Sequence, residues 1–140
     1  MPMSKDDHFN SWLEIAQSDL KVAGTLLKNK HWIYSAFMCQ QAIEKLVKGL
    51  YLLYLDDEIP KSHNIVSLAK AFEEKLDQPI PQNTLMLFAT LSSCYLNNRY
   101  PTYKHEIYKK IKEKDAAMIY SQSKETFKWL LTLKPSIKQQ

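Results

Sequence analysis

The chain is expected to be all-α, an antiparallel bundle of four long helices plus one short helix, forming a single domain over residues 1–140. Three observations predict this. Glycine occurs only twice, at Gly24 and Gly49, which disfavours tight hairpins, glycine-rich phosphate loops and dinucleotide-binding turns. Lysine, leucine, alanine, glutamate and glutamine, all good helix formers, are abundant. Apolar residues recur at steps of three and four through most of the chain, the period of one helix face. At 140 residues a single domain buries roughly 68–70% of its unfolded surface, enough for a core without disulfides.

The first helix begins at a capping box on Ser11 and Glu14, or earlier near Ser4. Its apolar stripe is Trp12, Ile15, Ala16, Leu20, Ala23 and Leu27, and it ends near Asn29. The second runs from about His31 to Leu55. Its apolar residues (Ile33, Ala36, Phe37, Ile43, Val47, Leu50, Tyr54) cover more than one face, so it belongs at the centre of the bundle. Pro60 interrupts the pattern, and a short helix follows with Ile65, Leu68, Ala69, Phe72 and Leu76. Beyond Pro79 and Pro81, a fourth helix is expected from about Gln82 to Asn98, with Leu85, Phe88, Leu91 and Tyr95 inward and Pro101 ending it. A last helix is expected from about Glu106 to Leu133, ended by Pro135.

The formal net charge of +4 favours approach of an anionic partner without identifying one. Cys39 and Cys94 lie in apolar stretches with no CxxC spacing, as expected of buried thiols in a reducing cytoplasm. No histidine or cysteine cluster has zinc spacing, so neither a metal nor a cofactor is expected. No apolar run is long enough to span a membrane, and the polar N-terminus does not read as a secretory signal. A cytoplasmic, soluble protein is the expectation.

Polar residues interrupt the second helix. Gln41, Lys45 and Lys48 fall on one stripe, and Gln40 and Glu44 on the next. They form either a solvent-facing stripe with a Glu44–Lys48 pair or the lining of a groove. The breadth of the apolar surface around them favours the groove.

Arg99 is the single arginine among nineteen lysines and arginines. Where charge alone is needed this chain uses lysine, so position 99 points to the planar fork that grips phosphate or carboxylate with two parallel bonds. His105 follows six residues later, with Pro101 between them to break a helix and let the two side chains converge. An arginine for phosphate and a histidine for proton transfer are the groups that metal-free phosphodiester cleavage requires. The alternative is structural, with Arg99 bonding helix-end carbonyls and His105 opening the next helix. His63, after Pro60 and Ser62, is expected to cap the short helix. The lysines between Lys104 and Lys114 form either a solvated face or a track for an RNA backbone.

Trp12-Leu13 with Ala16 and Asp19-Leu20, then Ala36-Phe37, Gln40-Gln41-Ala42, Glu44-Lys45 and Lys48, resemble the opening helices of the HEPN family. His63 before a short helix and Arg99-Tyr100-Pro101 match that family in order and spacing. The resemblance implies a compact helical bundle, commonly a homodimer, often encoded beside a small nucleotidyltransferase. Many members are metal-independent ribonucleases of toxin type with an Arg-x4–6-His motif, which Arg99 and His105 fit. Asn97, Asn98, Tyr100, Gln41, Glu44, Lys45 and Lys48 would then surround the substrate. Other members imply a non-catalytic module that holds a nucleotide or a partner protein.

Overall fold

The computed structural model describes residues 3–96, 106 and 109–135. Among these the expected all-α fold is realised, with five helices: α1 (Lys5–Lys28), α2 (Trp32–Leu55), α3 (Ile65–Phe72), α4 (Gln82–Ser93) and α5 (Glu113–Leu131).

Of the two starts weighed for α1, Ser4 is used. Its hydroxyl accepts the Asp7 N–H at 3.1 Å, while the Asp7 carboxylate accepts the Ser4 N–H at 3.3 Å. Phe9, Ala16 and Ala23 are buried at intervals of seven, so one narrow stripe of α1 faces α2. Small residues there let the backbones approach. A Cβ on Gly49 would stand 3.0 Å from the Phe9 ring, and the Ser35 hydroxyl donates to the Ala23 carbonyl at 2.8 Å. Lys30, in the left-handed region at φ 65°, reverses the chain between the two helices.

Helix α2 is the axis of the bundle, buried on several sides as its breadth of apolar residues requires. Ile43, Leu46, Val47 and Leu50 are fully buried in the central core, each burial stabilising by roughly 1.5–3 kcal/mol. Left-handed Asp56 ends α2, and the following loop crosses to α3. There Asn64 accepts the Ser67 N–H at 3.1 Å, so the capping role expected of His63 belongs to its neighbour. Tyr54 stacks on Phe72, centroids 5.4 Å apart, and its hydroxyl donates to the Leu133 carbonyl, joining α2 to α3 and the chain beyond α5.

Two predicted boundaries are corrected. Helix α4 stops at Ser93 rather than Asn98. The Ser92 and Ser93 hydroxyls bond back to the Phe88 and Thr90 carbonyls, and the Cys94 and Tyr95 amides close onto carbonyls three residues back. Such bonds tighten and terminate a helix. The last helix is interrupted: Lys109 and Lys110 are helical, but Ile111 and Lys112 are not. Lys112 is extended, the Asp115 carboxylate accepts its N–H at 3.0 Å, and α5 begins one residue later. Local carboxylate capping restarts a helix that periodicity alone reads as continuous.

Candidate functional site: a buried polar ladder on α2

Steps of four along α2 place Gln40, Glu44 and Lys48 above one another. All three are buried, and they bond to one another rather than to solvent. Gln40 Nε2 donates to Glu44 Oε1 at 2.6 Å, and Lys48 Nζ donates to Glu44 Oε2 at 3.1 Å. The Glu44–Lys48 pair weighed from the sequence is formed, but it is buried rather than on a solvent-facing stripe. Gln41 and Lys45 continue the network outward. Gln41 Nε2 donates to Gln40 Oε1 at 2.7 Å, and Lys45 Nζ reaches Gln41 Oε1 at 3.2 Å and Asp19 of α1 at 2.5 Å.

His63 closes the other end. Its Nδ1 lies 3.0 and 3.1 Å from the two Glu44 oxygens. The Glu44 side chain is 7% exposed and that of His63 is 45% exposed. A carboxylate only accepts, so Nδ1 is the donor and a neutral imidazole keeps its free lone pair on Nε2. The His63 ring stacks on Tyr95 with centroids 3.7 Å apart and planes at 15°, and Tyr95 meets Phe37 of α2 at 6.0 Å. Ser92 Oγ accepts the Ile65 N–H at 3.0 Å, fastening the start of α3 to the end of α4 around this stack.

Charge is balanced along the ladder, Lys48 against Glu44 and Lys45 against Asp19. Taking such ions out of water costs several kcal/mol each, recovered only when geometry and hydrogen bonding are good. Here Glu44 has three partners. The arrangement can hold an imidazole in one tautomer and orientation at the protein surface. No group of three or more His, Cys, Asp or Glu side chains among the described residues could hold a metal.

Of the residues singled out in the sequence, Gln41, Glu44, Lys45 and Lys48 are thus in one network. Asn97, Asn98, Arg99, Tyr100 and His105 lie outside the described residues. Sequence reasoning missed His63 as a partner of Glu44, Tyr95 as the ring stacked on His63, and Asp19 as the partner of Lys45. A signal existed for His63: a short apolar helix must dock back on α2, and the loop before it then has to cross the polar stripe.

The HEPN domain model matches residues 9–133. Two solved structures are similar over most of their length. The Thermus thermophilus protein TT1696 superposes with a TM-score of 0.74 at 22% identity, covering 89% of this chain and 97% of that one. ST0689, an archaeal HEPN homologue, superposes with a TM-score of 0.69 at 25% identity, covering 91% and 98%. No curated protein matches the chain. Among the described residues no helix is long and apolar enough to cross a membrane. With the family's domain matched across nearly all of its length, the chain belongs to the HEPN domain family.

Proposed function

We propose that the chain is a metal-independent RNA-cleaving protein of toxin type, with Arg99 binding the scissile phosphate and His105 transferring a proton. Cleavage by attack of the 2′-hydroxyl requires a base for that hydroxyl, an acid for the departing 5′-oxygen and stabilisation of charge on phosphorus. Arg99 supplies the last and His105 one proton role. A homodimer supplies a second His105 for the other. A small nucleotidyltransferase is the partner that this reading assigns to the complex.

The observation that carries the reading is the buried ladder itself. It runs from Asp19 through Glu44 to His63 and ends on Tyr95, four residues before Arg99 in sequence. Apolar residues would fill the same volume without desolvating ions. Ions kept in the network despite that cost support a functional use of it over simple packing.

The test is incubation of the purified protein with unstructured RNA in EDTA, followed by analysis of the product ends. Ends bearing 2′,3′-cyclic phosphate, and no cut at a 2′-deoxy position, are expected. Intact RNA, together with a nucleotide that raises the melting temperature, would replace this reading with the non-catalytic binding module.

A further inference from the structure

The turn between α1 and α2 meets the break before α5 at a cavity of about 310 Å³. Lys30, His31, Trp32 and Tyr34 line it from the turn, Ile111 and Lys112 from the break. Its size is at the lower end of pockets that hold small ligands. Lys30 is the unusual residue. Its N–H donates to the Leu27 carbonyl at 3.1 Å, and the His31 N–H donates to the Leu26 carbonyl at 2.9 Å. This is the Schellman closure of a helix, whose left-handed position is usually glycine. Here that position holds a lysine at φ 65°, a backbone cost that glycine would avoid. A side chain kept at such a position points to a use for it. Among the described residues, Lys30 and Lys112 are in no ion pair, and the His31 imidazole and Trp32 indole make no hydrogen bond. Trp32 is half-buried and Tyr34 is 40% exposed, so both rings are within reach of a ligand in the cavity.

We infer that this cavity binds one unpaired nucleotide of an RNA strand, with its base on Trp32 and Tyr34 and its phosphates on Lys30 and Lys112. Aromatic rings stack bases of any identity, and lysines neutralise the phosphates that flank them. A paired base is excluded, because a duplex keeps its base faces stacked inside. A free nucleotide shares this chemistry, but the surroundings favour a strand. Lys109, Lys110 and Lys114 are exposed next to Lys112 in sequence, and among the described residues none of them is in an ion pair. Glu113 and Asp115 interrupt this run, and the Asp115 carboxylate accepts the Lys112 N–H. The lysines give neighbouring phosphates a track that leads to the cavity. Lys112 lines the cavity only because the chain is extended there before α5 begins. The inference takes RNA as ligand from the ribonuclease reading but uses none of its catalytic residues.

A 2′-O-methyl oligoadenylate has no 2′-hydroxyl to attack phosphorus, so its binding can be measured apart from cleavage. Fluorescence anisotropy across a salt series is the readout. Tyr34→Ala should weaken binding by about tenfold or more with the salt dependence unchanged. Lys30→Gly and Lys112→Gln should each weaken it and each lower the slope of log K against log salt by about 0.7. Lys30→Gly should do so at an equal or higher melting temperature, since glycine relieves the left-handed backbone; a lysine needed only for folding would lose stability as well. Wild-type affinity in Tyr34→Ala and Lys30→Gly, or no binding by the wild-type chain, overturns the site. Adenosine monophosphate binding as tightly as the oligomer overturns the assignment to a strand. A duplex of equal length binding as tightly overturns the stacked base. Catalysis is read separately. A chain that binds through these residues yet leaves RNA intact overturns the ribonuclease reading alone, whereas RNA cleavage with wild-type binding in the variants overturns this site alone.

Discussion

Glu44 and His63 are nineteen residues apart in sequence, yet both carboxylate oxygens of Glu44 lie about equally close to His63 Nδ1, at 3.0 and 3.1 Å. The same carboxylate receives Gln40 and Lys48 from its own helix, so three donors converge on one buried acid. Glu44→Ala would leave the Lys48 ammonium buried without its countercharge. Breaking a buried pair from one side typically costs about 3–5 kcal/mol. Urea unfolding should show a loss of that order, with part of it recovered in Glu44→Leu combined with Lys48→Met. An unchanged midpoint for Glu44→Ala would mean that the ladder is open to water.

Gly24 lies beneath Tyr120 of α5, and a Cβ there would stand 2.5 Å from the tyrosine oxygen and 2.9 Å from Cζ. Alanine favours a helix over glycine by about 1 kcal/mol, whereas overpacking costs about 1–3 kcal/mol. Gly24→Ala should therefore lower the melting temperature of the wild type but raise it in a Tyr120→Ala background. The same sign in both backgrounds would show that the contact between α1 and α5 does not decide the effect.

Burial pushes the Cys39 thiol up to about 12 and the Cys94 thiol up to about 11. The thiolate is the reactive form, so neither group should react with a thiol reagent at pH 8 while the chain is folded. Both should react in denaturant. Rapid labelling of either thiol in the native protein would contradict the packing of α2 against α4 and α5.

Between α3 and α4, the Glu73 carboxylate accepts the backbone N–H of buried Ile80 at 2.9 Å, with Lys70 nearby at 3.4 Å. The Ile80 bond in first place holds this carboxyl below its ordinary value of 4.5. A depressed carboxyl contributes stability above its unfolded value, lost as pH falls through the lower folded value. Stability should decline below about pH 4.5, and less steeply in Glu73→Gln, as followed by urea unfolding across pH 3–6 (roughly the carboxylate range). Parallel slopes for the two proteins would remove Glu73 from the acid transition.

Helical period and the proline positions made the architecture legible, since Ile43, Val47 and Leu50 repeat at the spacing that a buried face demands. Boundaries were less so. Ser92 and Ser93 end α4 by bonding back to its carbonyls, and Asp115 restarts α5, choices made by hydrogen bonds that an apolar pattern does not record. In the site, Glu44 and Lys48 are visible as an i,i+4 pair on a helix too apolar to face water. His63, Tyr95 and Asp19 come from other elements. Their approach depends on how α1, α3 and α4 dock on α2, and one sequence fixes that only through packing.

Arg99 and His105 carry the proposed chemistry, and the rate of RNA cleavage in EDTA measures it. Wild-type chain should cut an unstructured RNA without metal, and His105→Ala of matched thermal stability should be slower by about a hundredfold or more. Equal rates in the two proteins would contradict the assignment.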